Sequence, residues 1–561
     1  MKVTRRTALA GLTTAGLAAS ACAKTPPHQE EKISPVFRHG VASGDPDASS
    51  VVLWTRIESA EDAAPVQWII ARDKDFTNIA GQGEIMARAD ADHTVKVIAG
   101  DLSPGETYYY RFSSNGDTSP TGRTRTLPVG ALDKLGIALV SCSNFQFGYF
   151  NAYDAIAKDD AIDFVLHTGD YIYEYGADEW GGETAKVIGR EHEPPHEIIT
   201  LDDYRKRHAQ YKRDAGSLAM HAAHPLLCLW DDHESANNPW IGGAQNHTNE
   251  TEGDWIARRD ASLQAYFEWM PVREPEAGMT RAQLWRAFMF GDLATLVTLE
   301  TRHTGRGEQV DYSTYFDQIK TEEDAATFKR EVIDDPDRSM ISKEMDKFLS
   351  ESLTASVDAG QPWRMIGNAS PIARMLVPDV AALGVDPAKQ NGAPVPGATA
   401  DLFWKGRWNM PFYTDTWDGY PAAREAFYDT CRQAGASDLL VLTGDSHSFW
   451  ANELYDDDGR SMGLELGTAG VSSPGDFVDS GWDHDTAERL DRIFEQELEE
   501  VVWTDNFHQG YVRVVLTPAA ATASFIAVDT VLTPTYKSFV LREDMIHHKG
   551  ETIGFAKHND E

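Results

Sequence analysis

Ile162-Asp163-Phe164-Val165-Leu166-His167-Thr168-Gly169-Asp170 runs from an apolar stretch straight into a polar ending that can bind metal. Continuous apolar runs of this length read as strands buried on both faces, whereas strands with one wet face alternate. The layout recurs three times. Residues 136–140 lead to Ser141-Cys142-Ser143-Asn144, residues 226–230 to Asp231-Asp232-His233-Glu234, and residues 439–442 to Thr443-Gly444-Asp445-Ser446-His447. In α/β sheets, sites form where strands end and loops begin. Four such ends, far apart in sequence, are expected to converge on one site, and the fold class is α/β.

Helices are expected between these strands: crossover helices over 151–158 and 421–434, amphipathic helices over 201–221, and another over 253–269. Two β-segments, 511–517 and 523–528, close the core. Upstream, residues 33–128 read as a small all-β sandwich of short strands separated by turns such as Leu102-Ser103-Pro104-Gly105. This part carries no catalytic cluster and is expected to pack or shield. The catalytic domain is expected over 135–546, and the polar residues 547–561 read as a mobile tail.

With 561 residues, 42% of them apolar, the chain is long enough for two domains around substantial cores. Its net charge of −37 excludes a dedicated nucleic-acid binder, which needs clustered Lys and Arg. Residues 1–23 have the layout of a secretory signal: Arg5-Arg6, suggesting twin-arginine export, then an uncharged run from Ala8 to Ala21. Ala19, Ala21 and Ala23 offer cleavage positions. Cys22 is a candidate lipidated cysteine, without the usual upstream Leu, and only that lipid would tie the chain to a membrane. A periplasmic or secreted location follows. Three cysteines then remain: either Cys228 and Cys431 pair and leave Cys142 free, or all three stay buried and reduced.

Each cluster also reads as a ligand set. Asp170 is placed to bridge two cations, and the phenol of Tyr173, three residues on, can turn back onto the same metal. Three carboxylates and an imidazole in Asp231-Asp232-His233-Glu234 are costly to desolvate without cations or hydrogen bonds. In Gly444-Asp445-Ser446-His447, the side chains at i and i+2 can face one pocket, and the Gly lets backbone approach closely.

Taken together with His39-Gly40-Val41-Ala42-Ser43-Gly44-Asp45-Pro46, Gly169-Asp170-Tyr171-Ile172-Tyr173-Glu174, Leu299-Glu300-Thr301-Arg302 and Asp418-Gly419-Tyr420-Pro421-Ala422-Ala423-Arg424, these clusters resemble the PhoD-type alkaline phosphatases of the wider metallophosphoesterase group. The resemblance covers nearly the whole chain. It implies a layered α/β/β/α sandwich with Fe3+ and Ca2+ as cofactors. Cys142, Asp170, Tyr173 and His447 would hold iron; Asp170 would bridge to a calcium side carrying Asp232 and Asp445. Thiolate, phenolate and imidazole suit a transition metal, and carboxylates a hard cation. Asn237 and Asn368 are further oxygen candidates. Glu300 stands where the family commonly has aspartate.

The expected activity is phosphate release from small-molecule phosphate esters, by in-line attack of a metal-activated hydroxide. His233 is expected to touch the phosphate or protonate the leaving alkoxide, and Arg302 to add a guanidinium to the phosphate or to form a surface ion pair. Tyr420 and Arg424 are expected to position a loop or helix. A monomer is expected. The alternatives are a phosphodiesterase with phospholipase D-like headgroup cleavage on the same centre, and a non-catalytic calcium-stabilised surface protein. Cys142 as nucleophile is discounted, because no Gly-rich, Arg-closed loop surrounds it.

Overall fold

The computed structural model describes residues 34–389 and 402–556, so the expected signal segment lies outside the described residues. Two large sheets pack face to face. The first has ten strands, in which Leu135–Val140, Phe164–Thr168 and Leu226–Leu229 lie side by side and parallel. The second has seven, with Ala294–Thr298, Trp363–Gly367 and Leu439–Thr443 parallel at its centre.

Strand periodicity explains why these runs are apolar throughout. Ile137, Leu139, Leu227 and Leu229 point into the core between the sheets, where they meet Leu296, Met365, Leu440 and Leu442. Their neighbours point the other way. Ala138, Val140, Leu226 and Cys228 pack under the helices Asn151–Ala157, Leu201–Tyr211, Ala215–Ala223 and Trp255–Trp269. Val297, Ile366 and Val441 of the second sheet pack under Lys343–Asp358 and Pro421–Gln433. The result is the expected α/β/β/α layering.

The boundary expected after residue 128 is less clean than the sequence suggests. Strands Val41–Gly44, Val51–Arg56 and Thr94–Ala99 join the ten-stranded sheet, where Val41–Gly44 pairs in parallel with Leu226–Leu229. The remaining N-terminal strands form a five-stranded sheet that packs on them through Val66, Ile70, Tyr108, Tyr110 and Phe112. A sandwich exists, but one of its layers is the catalytic sheet extended.

The tail expected over 547–561 is corrected over 547–556, and 557–561 lie outside the described residues. Ser538–Lys549 and Thr552–Phe555 form a hairpin at the edge of the ten-stranded sheet, anchored by Ile546, Ile553 and Phe555 in the central core. The three described cysteines are free and buried. Cys228 lies on strand Leu226–Leu229 under the helices of the first sheet and Cys431 on helix Pro421–Gln433 of the second, so the central core separates them and excludes a bridge.

Candidate metal centre

Six parallel strands, three from each sheet, end at one rim. Their loops carry Cys142, Asp170, Asp231 to Glu234, Glu300 to Arg302, Asn368, and Asp445 to His447. Two glycines permit the approach. Gly169 has φ +105°, and a Cβ there would stand 2.3 Å from the Asp231 nitrogen. A Cβ at Gly444 would meet Ser141 Oγ at 2.5 Å and Thr168 Oγ1 at 2.7 Å, so this glycine lets the loop of one sheet touch the loops of the other.

Four expected ligands occupy the left-handed region: Cys142 (φ 60°), Asp170 (φ 56°), Asp445 (φ 66°) and His447 (φ 54°). Such backbone costs roughly 1–3 kcal/mol per residue and persists only where surroundings enforce it. Here it turns each side chain off its strand into the shared space. The enforcing bonds are visible. Glu234, itself buried, accepts from the backbone N–H groups of Asp170 (3.0 Å), Tyr171 (2.6 Å) and Asp231 (2.9 Å).

Cys142, Asp170 and His447 bring ligand atoms within 4.8 Å of one another, as do Asp170, Asp232 and His233, and as do Asp170, Asp231, Asp232 and Asp445. Asp170 belongs to all three groups. The Cys142 thiol donates to its Oδ2 at 3.4 Å and the Tyr173 hydroxyl at 3.1 Å. The same hydroxyl is 3.3 Å from His447 Nε2. All six expected ligands therefore meet, with Asp170 between a sulfur–phenol–imidazole side and a carboxylate side.

The donor set fits cations. Asp231 Oδ2, Asp232 Oδ1 and Asn368 Oδ1 are buried acceptors without a hydrogen bond, a costly state unless a positive charge faces them. Burial, then the charge of Asp170, pushes the Cys142 and Tyr173 protons to hold far more tightly than usual. Burial likewise raises Asp170 and Asp445, and neighbouring carboxylates add to the rise. Bound cations reverse this logic by stabilising the deprotonated donors. His447 is held neutral, pushed down to about 3 by burial and then by His233, which leaves a ring nitrogen lone pair free to ligate.

His233 is different. Burial opposes its charge, but Asp232, Glu174 and Asp170 outweigh that and hold its imidazole well above the usual range. Its Nδ1 bonds Glu174 Oε2 at 2.7 Å, and its Nε2 lies 3.7 Å from Asp232 Oδ2.

Arg302 is not a surface ion pair: its side chain is 1% exposed. Its Nε donates to Asp231 Oδ1 at 2.5 Å and its Nη1 to Asp415 Oδ2 at 3.3 Å, while Nη2 is 3.7 Å from Asp445 Oδ2. The guanidinium thus pairs with carboxylates through Nε and Nη1, while Nη2 is a buried donor without a hydrogen bond. Glu300 positions the guanidinium, accepting from the N–H groups of Arg302, His303 and Thr304 and from the Trp230 indole. The Asn237 Oδ1 accepts from the Tyr175 hydroxyl at 3.2 Å, which uses one of its two lone pairs. Asn368 keeps its free buried oxygen. Tyr420 and Arg424 lie away from the donors: Arg424 pairs with Asp418 at 2.9 Å, and the Tyr420 hydroxyl donates to the Gly307 carbonyl. Asp231, which the sequence places in a ligand cluster without a role of its own, and Glu174, which it quotes without a role, are further contributors.

Comparisons with known proteins identify the family. The profile of the PhoD-like phosphatase family matches residues 137–525, and that of the PhoD-like phosphatase N-terminal domain matches residues 21–128. Alkaline phosphatase D of Bacillus subtilis (strain 168) is 33% identical over 534 residues, spanning 91% of this chain and 81% of the relative. The solved structure of PhoD superimposes with a TM-score of 0.75 at 31% identity, covering 93% of this chain and 92% of that one. The chain belongs to the PhoD-like phosphatase family and is a metal-dependent phosphohydrolase.

Proposed function

We propose that the protein is an exported alkaline phosphatase acting on small phosphate esters, with Fe3+ held by Cys142, Asp170, Tyr173 and His447 and Ca2+ by Asp170, Asp232 and Asp445. The observation that carries this reading is the sharing of Asp170 by a soft-donor group and a carboxylate group. Asp231 and Asn368 extend the oxygen side, each with an unpaired buried acceptor. The Bacillus subtilis relative, an alkaline phosphatase by name, supports the activity. When bound, the cations supply the positive charge and Lewis acidity that phosphoryl transfer requires.

The side chains supply position and protons. His233, charged and oriented by Glu174, serves as the proton donor to the departing alkoxide. Arg302 acts through Asp231 and Asp445, holding both carboxylates in place. The paired Arg5 and Arg6 before the run from Ala8 to Ala21 support twin-arginine export to the periplasm or beyond.

Elemental analysis and a visible spectrum of protein purified without chelator test the metal assignment. Iron, calcium and a charge-transfer band from Tyr173 are expected. Colourless, iron-free protein with full turnover would remove iron from the proposal. Fusing residues 1–32 to a reporter tests export, and substituting Arg5 and Arg6 by Lys is expected to retain the reporter in the cytoplasm.

A further inference from the structure

The expected ligands are not equally open to solvent. Cys142, Asp170, Tyr173, Asp231 and Asp232 are no more than 2% exposed, whereas Asp445 and His447 are partly exposed. The centre therefore opens on the side of the Asp445–His447 loop, and the organic part of an ester bound there must extend through that side.

An aromatic wall borders the opening. The Trp180 indole stacks on the His447 ring at 5.6 Å and 20°, and lies nearly parallel to the His233 ring at 6.3 Å and 21°. Phe147 meets it edge-on at 4.7 Å and Tyr175 at 5.9 Å. All three aromatic residues are partly exposed. The indole cannot swing freely, because its Nε1–H donates to both oxygens of Asp479, each at 3.1 Å. Asp479 comes from a segment about 300 residues downstream, so the wall is assembled by the tertiary fold.

A fixed flat ring beside a phosphate site is a preorganised stacking surface. The Asp479 carboxylate spends both oxygens on the indole N–H. We propose that Trp180, braced by Phe147 and Tyr175 and held by Asp479, forms a leaving-group subsite for phosphate esters with a planar aromatic or heteroaromatic organic part. This rests on the phosphatase reading above and deepens it. Trp180 is a specificity-determining residue here: it contacts the organic group and takes no part in proton transfer.

The test compares benzyl phosphate with cyclohexylmethyl phosphate, both leaving as primary alkoxides, so that ring planarity differs while the leaving-group chemistry stays close. For the metal-loaded wild-type chain, kcat/KM for the benzyl ester is expected to exceed the other roughly 2- to 10-fold, the range stacking supplies. Trp180→Ala is expected to bring the ratio near one, and Trp180→Phe to retain most of it. A wild-type ratio near one would overturn the subsite. So would a Trp180→Ala variant that slows both esters equally and keeps the ratio, since that is the mark of a purely structural residue. No turnover of either ester by the wild-type chain, beside an active control phosphatase, would sink the phosphatase reading and the subsite with it.

Discussion

Around Phe112, the N-terminal strands bury Val66, Ile70, Tyr108 and Tyr110 against Val41, Val51 and Leu53. Around Asp170, the chain buries Cys142, Asp231, Asp232, His233 and Glu234, and Cys142, Asp170, Asp445 and His447 stand on left-handed backbone. The first region follows local preferences in its strands, with strand-forming residues around an apolar interior, and left-handed residues such as Phe76, Asp101 and Asn115 lie in its turns. The second violates those preferences together, with adjacent carboxylates in low dielectric and unpaired acceptors. The difference teaches where the molecule keeps its stability and where it keeps its chemistry. The sheets supply the rigidity that holds a frustrated centre in place, and cations relieve the frustration.

Substitutions can break this comparison from either side. The largest effect is expected for Asp170→Asn, which removes a charge from all three donor groups. Its kcat/KM is expected to fall at least roughly 10³-fold, about 4 kcal/mol of transition-state stabilisation, while far-UV circular dichroism stays native. Near-normal turnover would remove Asp170 from the mechanism. Phe112→Ala is the mirror experiment. Truncating this buried ring is expected to cost about 3–5 kcal/mol of stability, seen in denaturant unfolding, with kcat of the folded fraction unchanged. A selective loss of kcat would show that the N-terminal sheet shapes the site.

Chelation sharpens the contrast. Stripping cations that are present at about 100 times their dissociation constant is expected to remove about 2.7 kcal/mol, read as a lower Tm. That drop is expected to shrink in Asp170→Asn. An unchanged Tm in the wild-type chain would mean that the centre folds without help from cations. The smallest effect is expected for Glu58→Gln. This residue pairs with Arg56 at 2.8 Å and Arg38 at 3.7 Å while 41% exposed, and such pairs contribute little. Stability within about 0.5 kcal/mol of wild type is expected.

The catalytic strands were legible because they are buried on both faces, so their apolar runs are uninterrupted. The loops after them were legible because polar clusters in that position are rare. Other features carried no such signal. The parallel pairing of Val41–Gly44 with Leu226–Leu229 is made by backbone bonds, which leave no pattern in side chains. The C-terminal hairpin buries few residues, with Ser538–Lys549 mostly exposed, and so its end, from His547 on, reads as a polar tail. Asp231 and Asp232 are adjacent carboxylates, and no spacing rule says that both face the centre. Arg302 can read as a surface pair, because a sequence does not reveal that Asp231 and Asp415 meet its buried guanidinium.

What the sequence by itself determined is local: which stretches must be buried strands, which donor atoms wait at their ends, and the resemblance those donors carry. What only the tertiary structure decided is convergence. The left-handed turns at Cys142, Asp170, Asp445 and His447, the close approach through Gly169 and Gly444, and the Asp479 bond that fixes Trp180 each depend on partners tens to hundreds of residues away. Strained backbone and buried charge have no local preference to announce them. They exist because two packed sheets leave the loops at their shared rim no cheaper arrangement.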